Sequence, residues 1–528
     1  MSTANLAKHS AASAQPASVR YAAVIDVGTT AIRMAIAEIE PDGGFRTLER
    51  LAQAVSLGRD TFTKGRIEKS TIEDCVRVLT SYKRRLEEYQ IRDADQIRVV
   101  ATSAVREAEN RLAFLDRVYI ATGIQIDPID ETAVNRITYR GIQPFLKADP
   151  VLSDANAIII EVGGGSTELL LVQSGQVYHS YSYQLGSVRL LKTLEAYRTV
   201  KVRDVMENQI IRTVDQIATH VDAGKSPSLI AIGGDMRIAA KQLNENLDPA
   251  QISRLDVTAL EEFTDRVLEM TADQIVQRFH VTYPDAETLG PALLTYVMLA
   301  RDLDVDEVLV TNTNLRDGLL TEMATQGEGT EEFDQQIVRS AIDLGQRFQF
   351  DEAHAVHVAQ LSKHLFHSLQ DEHRLDHRFE LLLYVAALLH EIGMYVGVRS
   401  FHKHTLYLIS NSELFGLSQQ DVQLVSLVAR YHRRASPKPN HQGYATLDRE
   451  ARIVISKLSA ILRVADALDH SHSQRIEKIE CKIKGEKLFL SVANVEDLSL
   501  EQLAMSDKGA LFEDIFGKTV QLRAVRDS

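Results

Sequence analysis

AIIIEVGGGSTELLLVQSGQV, residues 157–177, reads as an apolar strand, an acidic residue, a Val-Gly step, a loop of small residues and a second apolar strand. YAAVIDVGTTAIRMAIAEI, residues 21–39, has the same grammar. In each, an acidic residue (Asp26, Glu161) closes the first strand just before the glycine turn, and the two stand 135 positions apart. One such hairpin is an ordinary tight turn. Two of them predict a duplicated α/β domain whose turns face one cleft.

Working outward, PDGG (41–44) supplies a turn. Ile72, Val76, Leu79 and Leu86 recur at helical spacing between Ile67 and Tyr89, and IRVVATSAV (97–105) reads as a strand opening into a helix. Residues 178–328 continue as mixed strands and helices, with an apolar strand from Glu307 to Thr311. QGEGTEEFD (326–334) breaks the composition and is the best linker in the chain. Residues 335–472 carry a helical pattern almost throughout, and most of the 17 histidines lie between His354 and His441. From Arg475 the chain alternates, turns at Gly485, resumes as the strand KLFLSV (487–492), and ends in a helix and a strand from Thr519 to Val525. The expected divisions are a flexible tail (1–18), two α/β subdomains (19–150 and 151–328), a helical domain (333–474) and a small α+β cap (475–528).

At 528 residues several cores are needed, and 45% hydrophobic with 25% charged residues is an ordinary globular balance. A net charge of −14 argues against non-specific nucleic-acid coating. The longest apolar runs, such as Leu381 to Leu389, are about half of the ~20 residues that a membrane span needs. Cys75 and Cys481 allow neither a disulfide framework nor a cysteine-rich metal site, and both read as core residues. The first 18 residues resemble neither a secretory signal nor the usual transit peptide. The expectation is a reduced, cytoplasmic, multidomain protein without a membrane segment.

A Gly/Ser/Thr turn after a strand presents backbone N–H groups that a phosphate can approach closely. Thr29, Thr30, Ser166 and Thr167 add hydroxyls, and Asp26, Glu161 and Glu168 are carboxylates suited to holding Mg²⁺ (or Mn²⁺) against phosphate oxygens. The sequence here resembles the exopolyphosphatase / guanosine pentaphosphate phosphohydrolase (Ppx/GppA) family, a branch of the actin-like (ribonuclease H-like) superfamily. The resemblance runs through DVGTTAIRM (26–34), ATSAVREAEN (101–110), EVGGGSTEL (161–169), QLGSVRL (184–190), AETLGPAL (286–293) and TNTNLRDGLL (311–320). It covers residues 21 to about 475 and implies duplicated actin-like domains around a catalytic cleft. The reaction it implies is hydrolysis of a terminal phosphoanhydride, in inorganic polyphosphate or guanosine pentaphosphate, by a homodimer. By position, Gly28, Thr29, Thr30, Arg33, Gly163, Gly164, Gly165, Ser166 and Thr167 would cradle phosphates. Arg106 would clamp an oxygen pair, and Glu168, with Asp26 and Glu161 nearby, would hold the metal.

Two departures stand out. Glu161 and Thr30 replace the family's Asp and Asn. More consequentially, residues 129–142, aligned at Arg136, Tyr139 and Gly141, place Val134 where the resemblance expects the glutamate that orients the attacking water. Valine cannot accept a proton. Glu131, one helical turn earlier, is the candidate substitute. An enzyme with a shifted or missing base and a sensor that binds polyphosphate or guanosine tetra- and pentaphosphate without efficient turnover both remain open, as does the choice of substrate.

The helical region resembles the HD-type metal phosphohydrolase domain, with His354, His390, Glu391 and Asp466 in the ligand positions, though Glu391 replaces the expected Asp. Buried helix-packing histidines are the alternative reading. Residues 390–440 also reverse the chain's charge, and Lys403, Arg430, His432, Arg433 and Arg434 read as a track for a polyanion.

Overall fold

The structure is a computed structural model that describes residues 20–41, 43–149, 152, 156–195, 202–219, 221, 227–244, 251–325, 331–493, 495 and 497–525. The expected flexible tail (1–18) and residues 326–330 of the expected linker lie outside the described residues.

The first sheet comprises β1 (Arg20–Val27), β2 (Ala31–Ile39), β3 (Phe45–Ala54), β4 (Ile97–Ala101) and β5 (Asp127–Pro128), in the order β3-β2-β1-β4-β5. The first three form an antiparallel meander, and β4 runs parallel to β1. The second contains β6 (Asn156–Val162), β7 (Thr167–Gln173), β8 (Gln176–Tyr183), β9 (Ser228–Ile232), β10 (Ser253–Asp256) and β11 (Glu307–Val310), ordered β10-β11-β9-β6-β7-β8. Again a meander of three is followed by parallel strands. The repeat extends to register: Asp26 pairs with Arg33 across β1–β2, and Glu161 with Glu168 across β6–β7.

Strand alternation divides the cores. Ala23, Ile25 and Val27 face Ile72, Cys75, Leu79, Tyr82 and Leu86 of helix Lys69–Glu88. Burial pushes the Cys75 thiol up to about 12, as fits a core residue. Ala22 and Val24, on the other face, meet Val134 and Ile137 of helix Glu131–Ala148 and Leu315, Leu319 and Leu320 of helix Leu315–Ala324. Those two helices touch backbone to backbone: a Cβ on Gly318 would lie 2.0 Å from the Ile137 carbonyl oxygen, so only glycine fits there.

Helix Glu131–Ala148 is the hub of the molecule. Its later turns (Tyr139, Ile142, Leu146) join Ile159 and Leu170 of the second sheet and Phe333, Ile337 and Phe415 of the helical region in one core. The helical region comprises Glu331–Arg347, Glu352–Ser368, Gln370–His373, Arg378–Leu389, Phe401–Ser410, Gln419–Arg430 and Arg449–Leu468. The C-terminal cap is β12 (Ile479–Lys484), β13 (Lys487–Ala493) and β14 (Thr519–Val525), with two helices forming the crossover between the parallel pair β13 and β14. Among the described residues no helix is long and apolar enough to cross a membrane.

Candidate functional site

The two hairpin turns are built alike. The Gly28 N–H donates to the Ala31 carbonyl (3.0 Å) and the Gly163 N–H to that of Ser166 (2.8 Å). The loop carbonyls then turn away from the cleft: Thr29 O accepts from Gly58 N and Gly164 O from Val188 N. The N–H groups of Thr29, Thr30, Gly164, Gly165 and Ser166 take no backbone acceptor among the described residues. Five amides left without acceptors on two facing turns form a nest for anionic oxygens. The turns lie in contact: a Cβ on Gly164 would sit 2.7 Å from the Thr29 methyl, and one on Gly165 2.4 Å from the Ser103 hydroxyl oxygen.

Between them opens a cleft of about 540 Å³ lined by Asp26, Gly28, Thr29, Thr30, Arg33, Ser103, Arg106, Val134, Glu161, Gly163, Gly164, Ser166 and Glu168. Of the expected phosphate-binding residues, Gly165 does not line this cleft, so four of the five acceptor-free amides (Thr29, Thr30, Gly164 and Ser166) belong to cleft-lining residues. Thr167 is a correction: its hydroxyl is fully buried and donates to the Leu185 carbonyl at 2.5 Å, so it braces the turn and offers nothing to a ligand. Gly28 and Gly163 likewise spend their N–H groups inside the turns.

Burial shifts two of the cleft carboxylates. Burial pushes Glu168 up to about 8, against hydrogen bonds from Ser166 Oγ (2.8 Å) and Ser182 Oγ (3.0 Å) to its Oε1; its Oε2 is buried and unpartnered. Desolvation also raises Glu161, with Arg237 and Arg316 opposing and Asp26 adding to the shift. Asp26 meets the Arg316 guanidinium at 3.4 Å.

Arg106 donates to the Ile129 carbonyl (3.0 Å) and to Glu131 Oε1 (3.1 Å). Glu131 is therefore held by the clamp itself and lies in the neighbouring groove, while Val134 lines the cleft. Sequence reading missed Arg237, Arg316, Asp235, Ser103 and Ser182. The first three had a signal: they follow loops at the carboxyl ends of β9 and β11, where open α/β sheets place their ligand sites. Desolvation with Asp285 beside it pushes Asp235 up to about 7.

The adjoining groove, about 660 Å³, lies between the second sheet and the helical region and is lined by Glu131, Ser182, Lys403, Tyr407, Glu413 and Arg430 among others. Ser182 joins the two spaces, lining the groove while donating to Glu168 in the cleft. Of the expected polyanion track, Lys403 and Arg430 face this groove. His432 does not: it is buried against His390 and Phe401, with its Nδ1 2.5 Å from the Ala429 carbonyl, and burial drives it well below the usual imidazole range. Arg433 lies over the Phe401 ring, and Arg434 is exposed near Asp507.

In the helical region, ligand atoms of His354, His390 and Glu391 lie within 4.8 Å of one another. Nδ1 of His354 bonds Asp469 (2.8 Å) and Nδ1 of His390 bonds the Ala387 carbonyl (2.6 Å), leaving both Nε2 atoms buried and unpartnered. Asp466 departs from expectation. The Lys508 ammonium takes one of its oxygens at 2.5 Å, and the other stands 4.0 Å from His390 Nε2.

Two repeated halves around a cleft of acceptor-free amides, arginines and buried carboxylates define a phosphoryl-handling protein of the actin-like class. The chain belongs to the Ppx/GppA phosphatase family. The sequence model of that family matches residues 21–326, and that of "Ppx/GppA phosphatase, domain III" matches residues 338–507. A guanosine-5'-triphosphate,3'-diphosphate pyrophosphatase of Photobacterium profundum is 23% identical over 471 residues, covering 87% of this chain and 89% of the relative. Its counterpart in Vibrio cholerae is 23% identical over 482 residues, covering 89% and 91%. The crystal structure of an exopolyphosphatase from Cytophaga hutchinsonii, 21% identical, superposes with a TM-score of 0.52 over 58% of this chain and 98% of that one, a likeness of fold. The protein is thus a phosphohydrolase.

Proposed function

We propose that the chain releases the terminal phosphate of inorganic polyphosphate, of guanosine pentaphosphate, or of both, by metal-assisted attack of water. The observation that carries this reading is the pair of facing turns whose cleft-lining residues Thr29, Thr30, Gly164 and Ser166 keep amides free of backbone acceptors. Phosphoryl transfer is mostly positioning and charge compensation, and these amides, with Arg106, Arg237 and Arg316, supply both.

The donor set fits Mg²⁺ or Mn²⁺: a buried carboxylate with an unpartnered oxygen (Glu168) and a second desolvated one (Glu161) call for a cation, whereas Asp26 is engaged by Arg316. A cation bound there would neutralise charge on the phosphoryl oxygens. Glu168 keeps its orientation through Ser166 and Ser182. Arg106 either stays on Glu131 or swings its fork onto an oxygen pair of the substrate, releasing Glu131 to accept a proton from water. The groove with Lys403 and Arg430 would receive the rest of a polyphosphate chain.

Val134 favours a second reading. An apolar side chain on the cleft wall where a base is expected suits a sensor that binds these polyanions and turns them over slowly. Phosphate release from both substrates with Mg²⁺, measured beside equilibrium binding of each, separates the two. Release that follows binding supports the enzyme, and binding without release supports the sensor. Binding of neither would sink both.

The paired Nε2 atoms of His354 and His390, with Glu391, fit one divalent transition metal whose imidazoles are oriented by Asp469 and a backbone carbonyl. Elemental analysis after Mn²⁺ or Zn²⁺ loading of wild type and His390→Ala tests this. No ion retained by wild type leaves helix-packing histidines.

A further inference from the structure

Three imidazoles in the helical region are oriented alike. His354 turns its Nδ1 to Asp469 (2.8 Å), His390 to the Ala387 carbonyl (2.6 Å) and His472 to Asp351 (3.1 Å). Carboxylates and carbonyls only accept, so in each neutral ring Nδ1 carries the proton and Nε2 presents its lone pair. The Nε2 atoms of His354 and His390 are buried without a partner, and that of His472 faces Glu391 Oε2 at 4.0 Å. The His472 ring lies flat on that of His354, with 3.7 Å between centroids and 7° between planes.

His472 holds this place at a backbone cost, for its φ is 52°, in the left-handed region, and that of Gln474 is 51°. The loop is tied down on both sides. Gln474 bonds Asp469 through its backbone N–H (2.7 Å) and its Nε2 (3.1 Å), and Asp469 is the carboxylate that orients His354. Ser471 (2.6 Å) and Arg475 (3.2 Å) donate to Glu501, a buried carboxylate on the cap helix Ser499–Lys508. The last residue of that helix disqualifies Asp466. The Lys508 ammonium occupies one Asp466 oxygen, and a divalent ion taking this carboxylate as a ligand would meet a positive charge beside it.

Building on the reading of His354, His390 and Glu391 as metal ligands, we infer that His472 is the fourth ligand of a closed site for a single divalent transition metal. Three imidazoles and a carboxylate suit Zn²⁺ or its spectroscopic stand-in Co²⁺. Four protein ligands leave no position open for a reacting water, so the ion is structural. It fastens the loop 469–475, and with it the C-terminal cap, to the helical region. His472 thereby takes the place that the sequence resemblance gives to Asp466.

The test titrates Co²⁺ into the metal-stripped full chain, with excess Mg²⁺ present to fill the oxygen ligands of the cleft. Wild type should retain one Co²⁺ per chain and show the intense visible absorption of a four-coordinate ion. Added azide should leave that spectrum unchanged, because no position is open. His472→Ala, at an exposed residue, should weaken Co²⁺ binding at least about a hundredfold, beyond the ~10–100-fold that outer-shell partners cost, and should make the spectrum azide-sensitive. Asp466→Asn keeps the size of the side chain and should leave Kd close to that of wild type. Co²⁺ should raise Tm in wild type and far less in His472→Ala, and the metal-free melts confirm that each variant is folded.

Equal affinity in wild type and His472→Ala would overturn the fourth ligand. So would an equal or greater loss in Asp466→Asn, or a wild-type spectrum that azide changes. No Co²⁺ bound by wild type overturns the reading of His354, His390 and Glu391 as ligands as well. Phosphate release at the cleft, assayed in the same Mg²⁺ buffer, decides the hydrolase separately.

Discussion

Val134→Glu should raise phosphate release by at least about tenfold, within the ~10²–10⁴-fold range that a positioned general base contributes, without tightening substrate binding. Val134 is 7% exposed and lines the cleft beside Arg106 and Glu168, on the second turn of helix Glu131–Ala148. Its backbone side packs with Ala133, Ile137 and Val24. An introduced glutamate therefore has one place for its carboxyl group, in the cleft and within the reach of the Arg106 fork that now holds Glu131. Desolvating that carboxylate costs about 1–3 kcal/mol of stability before any ion pair offsets it, a fall of a few degrees in Tm. Binding energy supplied by the amides, Arg237 and Arg316 is untouched, so KM or Kd should hold.

The assay is single-turnover release of phosphate with enzyme in excess, run for wild type, Val134→Glu, Val134→Gln and Glu131→Ala. Val134→Gln reproduces the size and polarity of the first substitution without its basicity, so a gain confined to Val134→Glu identifies proton acceptance as the cause. Should Val134→Glu and Glu131→Ala both abolish release, Glu131 is already the base and the new carboxylate has displaced it from Arg106. If neither variant changes the rate, the assignment of this helix to the attacking water is wrong.

Glu168→Gln keeps the bonds from Ser166 and Ser182 and loses the cation's anchor, and should reduce Mg²⁺-dependent release roughly 10³-fold; near-normal release would refute the site. In metal-free protein, Glu168 titrates at about 8 in the fold against 4.5 ordinarily, and Asp235 and Glu413 at about 7. The folded chain thus holds protons that the unfolded chain has released. Tm should fall as pH rises from about 4.5 to 8, less steeply in Glu168→Gln, and Mg²⁺ should recover most at the alkaline end. The paired change Lys403→Ala with Arg430→Ala should weaken long-chain polyphosphate binding and flatten its salt dependence by up to about two charges' worth, leaving guanosine pentaphosphate unaffected; equal loss for both substrates would refute the groove.

The duplicated hairpins were legible because strand, acidic residue and glycine turn are local features, and the two sheets repeat their order and register as that grammar implies. What each hydroxyl does was not. Thr167 and Thr29 look alike in their loops, but Thr167 points behind its turn to the Leu185 carbonyl while Thr29 lines the cleft. His432 shows the same limit. Its basic neighbours suggested an exposed surface, yet on helix Gln419–Arg430 and just beyond it a shift of two or three positions separates groove from core. Partnerships across the chain were also hidden: Lys508 lies 42 positions from Asp466, and nothing local distinguishes it from any exposed lysine.

The stretch QGEGTEEFD reads as a linker, but one core spans both sides of it. Tyr139, on the hub helix, donates to the Gly175 carbonyl in the turn between β7 and β8, accepts from Gln336 Nε2 in the first helix of the helical region, and meets the Phe415 ring edge-on. The Asp130 carboxylate caps the hub helix at Ala133 N and also accepts from Gln419 N, at the start of a groove-lining helix. One helix thus presents Val134 to the cleft and Glu131 to the groove, while its start and its middle are bonded to the region beyond the linker. Cutting at Gln326 would strip the apolar cover from Ile159, Leu170 and Phe333's partners in a shared core and leave Tyr139 without its Gln336 donor. Under the proposed function, a chain held along Lys403 and Arg430 would lie in the groove that Glu131 lines, one helical turn from Val134 in the cleft, so chain binding would be felt by the helix that borders the site of phosphoryl chemistry.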